Sequence, residues 1–388
     1  MLSSKLIFNI EVVQFAGFII ALGISYVLTP LIQTRAIKLG VLDNPSERKL
    51  HQKPIPRLGG VSIFASTFLT TLVFLHTYWT YRHNLTATFT LLGIFAGGTI
   101  IFFLGLLDDI EPLPAVLKLI IQIVAASVAW ALGIKISFLA NPFYHADFYF
   151  FKLSVGEQVI SFTPLISYLL TLIWIIVITN AVNLVDGMDG LATGVSLISA
   201  IAIWAVSVDF RINQPAGALM AATIAGALLG FLRWNFNPAR IFLGDSGAYL
   251  TGFILSALAI SCVTKKIAIA VIAPVLFLIF AFPIGDTLFA VIRRTLNKKS
   301  ILAPDKGHLH HRILEFGLSQ KIASYLLYFI SALLGISATF LISMKSSLRF
   351  LFLSVIVVLI ALFYTCIINW RRQKLFRHWF LNEDKDKK

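Results

Sequence analysis

The chain reads as a succession of long apolar runs separated by short polar segments. Eleven stand out, at about 8–34, 59–79, 86–107, 115–134, 163–183, 190–208, 216–234, 246–264, 267–292, 322–343 and 350–369. A helix needs roughly 20 apolar residues to cross the hydrocarbon core. Within that core every backbone N–H and C=O must find a partner inside the protein, so continuous runs of this length are helices. The predicted fold is all-α: a polytopic membrane protein with about 11 transmembrane helices. Composition agrees, with 58% hydrophobic and 13% charged residues, against about 25% charged in a soluble domain. A water-soluble globule and a disordered chain are both excluded. The runs at 86–107 and 216–234 are rich in Gly and Ala, which suits close helix packing in lipid.

Eleven crossings place the termini on opposite sides. The loops 35–58, 108–114, 184–189, 235–245 and 293–321, with the tail 370–388, carry about 21 Lys and Arg; the opposite loops and the N-terminus carry about 9. Basic residues gather in cytoplasmic loops, so the N-terminus is expected outside and the C-terminus in the cytoplasm. The net charge of +14 thus reads as an affinity for anionic lipid, with no nucleic acid partner implied. Residues 1–369 form one integral membrane domain and 370–388 a basic cytoplasmic tail. Within the tail Phe376, Trp379 and Phe380, beside Lys374 and Arg377, suit a leaflet surface. Cys262 and Cys366 both lie in apolar runs and suggest no disulfide framework. The N-terminal run lacks a clear cleavage site and reads as a retained first helix.

With that orientation every unusual polar cluster falls on the cytoplasmic side: PRLGG at 56–60, LLDDI at 106–110, NAVNLVDGMDG at 180–190, NFNPARIFLGDSG at 235–247 and PDKGHLHHR at 304–312. Five distant segments on one face suggest one site. Asp108 and Asp109 are adjacent acids at a helix end, costly near lipid unless they cap a solvated loop or serve chemistry. Asn180, Asn183, Asp186 and Asp189 are spaced three apart, so a helix would carry them on one face. Their oxygens are hard ligands suited to magnesium, although capping could account for one of them. Asp245 opens a helix and is either its N-cap or a metal ligand. Phe242 could stack on a base or simply face lipid. Lys118 either snorkels or pairs with the acids or a phosphate. His308, His310, His311 and Arg312 lack zinc-site spacing and read better as donors to phosphate oxygens than as a solvated turn.

Acids for magnesium and bases for phosphate, at a membrane boundary, fit phosphoryl transfer, which needs positioning and charge neutralisation more than covalent chemistry. Two rival readings remain. A transporter or lipid scramblase would place its polar residues near the membrane midplane. A metal-independent lipid phosphatase would use a histidine as nucleophile.

The motifs RKLHQKPIPRLGG (48–60), GLLDDI (105–110), KLIIQI (118–123), NAVNLVDGMDGLA (180–192), NFNPARIFLGDSG (235–247) and HLHHRIL (308–314), in that order, resemble the polyprenyl-phosphate N-acetylhexosamine-1-phosphate transferases, the WecA, TagO and MraY superfamily. Arg312 after the histidines, with RKLHQKPIPRLGG, resembles the WecA/TagO branch. The resemblance implies that undecaprenyl phosphate attacks UDP-GlcNAc, or a related UDP-N-acetylamino sugar or UDP-MurNAc-pentapeptide, releasing UMP. It implies Mg²⁺, with Mn²⁺ as a substitute, and a multi-pass protein of the bacterial inner membrane, with a homodimer plausible. It implies Asp245 as principal metal ligand with Asn183 second. Asp108 and Asp109 correspond to the acidic pair at the carrier phosphate, and Lys118, His308, His310, His311 and Arg312 to the groups that hold phosphates. Lys53, Arg57, Asn180, Asp186, Asp189, Asn235 and Phe242 are the substrate-binding candidates. A general base is not obligatory, since a phosphomonoester is largely dianionic near neutrality; either acid could instead position Lys118, water or the cation.

Overall fold

A computed structural model describes residues 10–45, 52–82, 85–136, 152–155, 158–161, 163–209, 212–261, 269–296, 309–315, 317–344, 348–349, 351–356 and 358–359. The helices in chain order are α1 (Ile10–Leu39), α2 (Gly59–Arg82), α3 (Leu85–Ile110), α4 (Ala115–Ala131), α5 (Thr163–Val185), α6 (Leu191–Val208), α7 (Pro215–Asn235), α8 (Gly244–Ser261), α9 (Ile269–Ile279), α10 (Ala281–Leu296), α11 (Leu309–Glu315) and α12 (Gln320–Ser343). The chain is mostly helical, as expected. Two short antiparallel hairpins amend the all-α reading: β1 (Leu42–Asp43) with β2 (Ile55–Pro56), and β3 (Lys152–Val155) with β4 (Gln158–Ser161). The chain divides into a unit of Met1–Thr339 and one of Phe340–Lys388. Most of the second, including nearly all of the 350–369 run and the whole tail, lies outside the described residues.

Among the described residues six helices are long and apolar enough to span a bilayer: the main parts of α1, α3, α5, α6, α7 and α12. The bent pair α9–α10 makes seven if it counts as one span. The apolar part of α2 (Gly59–Phe74) and α4 are shorter. The run at 267–292 is not one straight crossing, because its two helices meet at 81°. Pro283 accounts for the break: its ring excludes the carbonyl four residues back, at Ile279 where α9 ends.

The outward faces suit lipid. Val27, Leu31, Phe329 and Phe340 are each about 60% exposed, among many large apolar side chains on the outside, the extended apolar surface that a lipid surrounding accommodates. Several buried hydroxyls satisfy one another or the preceding turn: Thr29 Oγ1 lies 2.8 Å from Ser62 Oγ, joining α1 to α2, and Thr71 donates back to the Thr67 carbonyl. Gly226 of α7 lies directly against the Phe18 carbonyl of α1, where a Cβ would not fit. At the centre α8 is enclosed by α2, α3, α5 and α6. It is buried along almost its whole length, and its N-terminus is where the polar motifs meet.

Candidate active site

The first turn of α8 is built by three other segments. The β1–β2 hairpin brings residues 55–57 beside 41–43, and the chain then runs alongside 242–243. Phe242 N–H donates to the Pro56 carbonyl (2.8 Å), while Gly59 and Gly60 N–H donate to the Phe242 and Leu243 carbonyls (3.1 and 2.9 Å). Gly105 lets α3 rest against the backbone of Asp245 and Ser246. Gly244, at φ +73°, has the Arg57 carbonyl and both carboxylate oxygens of Asp109 where a Cβ would stand.

Asp109 supplies the cap that α8 lacks. Its Oδ1 accepts the Asp245 N–H at 2.8 Å, and its Oδ2 accepts the Ser246 N–H at 3.0 Å and the Ser246 hydroxyl at 2.6 Å. A carboxylate from α3 thus satisfies the open donors of a helix 136 residues later in the chain. The possibility that Asp245 is merely its own helix's N-cap is displaced. The Asp245 carboxylate faces outward from that turn: Oδ1 accepts Asn183 Nδ2 at 2.7 Å and Oδ2 lies 3.2 Å from Arg57 Nη2.

Arg57 sits between acids, with Nη2 3.5 Å from Asp109 Oδ1 and Nη1 3.6 Å from Asp43 Oδ1. Asp108 faces the other way. Its Oδ2 accepts Lys118 Nζ of α4 at 2.5 Å and its Oδ1 the Leu113 N–H at 2.8 Å. Lys118 is therefore paired and does not simply snorkel. Asp186 lies just past α5, half-buried. Burial first, then the charges of Asp245 and Asp109, push its carboxyl well above the usual carboxylate range, against the opposing pull of Arg57.

The structure thus brings together Arg57, Asp108, Asp109, Lys118, Asn183, Asp186 and Asp245. Three further candidates make hydrogen bonds within the protein. Asn180 exchanges amide hydrogen bonds with Gln122 of α4 (2.8 and 3.3 Å). Asn235 is buried, accepting from Thr193 Oγ1 (2.7 Å) and donating to the Ile241 carbonyl (3.0 Å). Asp189 Oδ2 holds the 237–239 loop through Asn237 Nδ2 and the Ala239 N–H, both at 2.9 Å. Phe242 is half-buried beside the site, and Lys53 is exposed. Arg312 lies in α11 with His310 and His311; His308 lies outside the described residues.

Three contributors went unread in the sequence. Ser246 is the donor to Asp109, Gln122 the partner of Asn180, and buried Asp286 of α10 accepts the Leu309 N–H at 2.6 Å and so fixes the start of α11. Gln122 and Asp286 were visible as lone polar residues inside apolar runs.

Among the described residues no three His, Cys, Asp or Glu side chains converge as a metal cage. Magnesium rarely needs one: it binds through one or two carboxylates, with substrate phosphates and water completing the shell. Asp245 and Asp186 fit that pattern. Asn183, the expected second ligand, donates its amide nitrogen to Asp245 at 2.7 Å, so its side-chain oxygen is the atom that would reach a cation. The charge balance fits as well. Among the described residues four acids, Asp108, Asp109, Asp186 and Asp245, lie with two cations, Lys118 and Arg57, a surplus of acidic groups that a divalent cation would offset.

Residues 91–263 match the model of glycosyl transferase family 4. The chain is 37% identical over 347 residues to a "Probable undecaprenyl-phosphate N-acetylglucosaminyl 1-phosphate transferase" of Bacillus subtilis, covering 89% of this chain and 88% of the relative. It is 36% identical to a "Decaprenyl-phosphate N-acetylglucosaminephosphotransferase" of Mycolicibacterium smegmatis, covering 79% and 76%. It is 31% identical to an "Undecaprenyl-phosphate alpha-N-acetylglucosaminyl 1-phosphate transferase" of Thermotoga maritima, covering 89% and 96%. Full-length likeness at this level, together with motif segments that fold onto one helix terminus, makes the chain a membrane transferase and a member of the polyprenyl-phosphate N-acetylhexosamine-1-phosphate transferase superfamily.

Proposed function

We propose that the protein transfers N-acetylglucosamine 1-phosphate from UDP-GlcNAc to undecaprenyl phosphate at the cytoplasmic face of a bacterial inner membrane, dependent on Mg²⁺ with Mn²⁺ as a substitute. The product, prenyl diphosphate-GlcNAc, would begin a lipid-linked envelope glycan such as O-antigen or wall teichoic acid. The observation that carries this reading is the surplus of carboxylates around Asp245 at a helix N-terminus, flanked by Arg57 and Lys118. The names of the relatives support the donor and the acceptor.

An oxygen of the carrier phosphate attacks the β-phosphorus of the sugar nucleotide; the bond from that phosphorus to the bridging oxygen breaks, and UMP leaves. A bound magnesium ion would neutralise diphosphate charge and orient the oxygens in line. Asp245 and Asn183 would hold it, with Asp186 close enough to add a carboxylate. Arg57 is placed to offer a guanidinium edge to a phosphate oxygen. Lys118 balances Asp108 and adds positive charge beside the carrier phosphate. Asp109 does not need to accept a proton, because its oxygens already hold the start of α8, and the carrier is largely dianionic.

The test is UMP release from UDP-GlcNAc by the detergent-solubilised protein with undecaprenyl phosphate. Release that stops with chelator, and with Asp245→Ala while the protein still inserts, is the expected result. Absence of UMP with and without chelator would overturn the proposal.

A further inference from the structure

Beside the 237–240 loop, a groove opens between the end of α7 and the start of α12. Its volume is ≈ 610 Å³. Along α7 the lining runs from Leu229 and Leu232 to Arg233 near the helix end, with Arg240 beyond it and Tyr325 and Tyr328 of α12 alongside. Both helices belong to spanning segments, Pro215–Asn235 and Gln320–Ser343, so the groove lies where a span ends and water begins. Both arginines are exposed. They flank a single indole, with guanidinium carbons 5.9 Å (Arg233) and 5.6 Å (Arg240) from the Trp234 ring centre. Neither has an acidic partner among the described residues. Two like charges held on one ring repel each other, and one anion between them would relieve both.

We propose that this groove binds an anionic glycerophospholipid of the adjacent leaflet, its phosphate between Arg233 and Arg240 and an acyl chain along Leu229 and Leu232. The charge pattern selects the headgroup: cations near and beyond the end of α7, aromatic rings alongside, and leucines further back along the helix are the order of chemistry along such a lipid from phosphate to chain. A water-soluble phosphate would use only the first of these. The groove is also tied to the acidic turn. Asn237, on its lining, donates to Asp189, and Tyr328 donates to the Gly190 carbonyl at 2.6 Å. An occupant would therefore lie against the residues whose two bonds hold Asp189 and Gly190. This inference goes beyond the transferase reading and does not depend on it.

The full-length protein in detergent, titrated with dioleoylphosphatidylglycerol and followed by native mass spectrometry, tests it. One lipid should bind in preference to dioleoylphosphatidylcholine, which has the same chains. The double variant Arg233→Gln/Arg240→Gln should weaken phosphatidylglycerol binding roughly 25-fold, about fivefold for each basic group, and leave phosphatidylcholine unchanged. Water-soluble glycerophosphoglycerol should fail to compete, whereas competition at equal concentration would make the site a phosphate site and overturn the lipid assignment. Hydrogen exchange in 232–240 and 325–328 should slow on lipid addition. Equal preference in wild type and variant, slowed exchange only elsewhere, or a dimer mass abolished by the variant in place of a lipid adduct would each overturn the proposal. Both arginines are exposed, so the variant is expected to keep its fold.

Discussion

Replacing Asp109 with Asn isolates the role of the carboxylate that caps α8. The wild-type side chain accepts three hydrogen bonds, two on one oxygen. Asparagine keeps one accepting oxygen, enough for the Asp245 N–H, and turns an amino group toward the Ser246 N–H. Ser246 Oγ can rotate to accept from that amide, but the buried N–H cannot adapt. An unsatisfied buried donor costs about 1–3 kcal/mol, and loss of the anion at a helix N-terminus about 0.3–1 kcal/mol more. Removing one charge beside Asp245 returns part of this, so the expected net loss of stability is about 2 kcal/mol. The effect on turnover should be larger. A shift of about 1 Å in the first turn of α8 would displace Asp245 and lower the rate by about 10²-fold. The assay is the initial rate of UMP release with thermal unfolding of the same sample, run as a double-mutant cycle with Ser246→Ala. The two losses should be non-additive, with a coupling of roughly 0.5–3 kcal/mol. Wild-type stability in Asp109→Asn, with activity recovered as pH rises or on adding a small external base, would refute the capping role and make Asp109 a proton acceptor.

Gly244→Ala should destabilise by more than about 1–2 kcal/mol, because φ is +73° and a Cβ would meet Asp109 Oδ2 at 2.7 Å; unfolding temperature and UMP release should fall together. Lys118→Met should lower the rate by roughly 10- to 150-fold, equivalent to one charged hydrogen bond of about 1.5–3 kcal/mol, and steady-state kinetics with varied undecaprenyl phosphate would measure it. Asp186 sets a pH dependence. In the unfolded chain it titrates near the ordinary carboxylate value, and in the fold well above it. Between those two values the folded state holds the extra proton, so without metal, stability falls as pH rises through that window. Magnesium should bind more tightly and stabilise more as pH rises, releasing a proton. Melting curves across pH, with magnesium or chelator, should show this, and Asp186→Asn should flatten both trends.

The helical, apolar character of the chain and the convergence of the acidic motifs were legible because both rest on strong local signals, apolar runs and charges that lipid does not tolerate unpaired; of the eleven expected crossings, six among the described residues, or seven with the bent pair, are long and apolar enough to span. Direction was not. Asp108 and Asp109 are neighbours of one chemical type, yet successive side chains on a helix point about 100° apart. One therefore meets Lys118 of α4 and the other the start of α8. The series Asn180, Asn183, Asp186 and Asp189 suggested one shared face. However, three residues fall about 60° short of a full turn, and α5 ends at Val185. The series consequently fans out: Asn180 to α4, Asn183 to Asp245, Asp189 to the 237–239 loop. The bend at α9–α10 escaped because summed hydropathy carries no directional information, although Pro283 marked the place.

The cap that reaches from α3 to α8 also bears on how the protein is made. While the ribosome is still threading the early helices into the bilayer, Asp109 has no amides to receive and Asp245 does not yet exist. The acidic site can close only when α8 arrives and takes its seat against α3. A nascent chain that stops before Gly244 therefore carries Asp109 without the amides and hydroxyl that hold it in the finished fold.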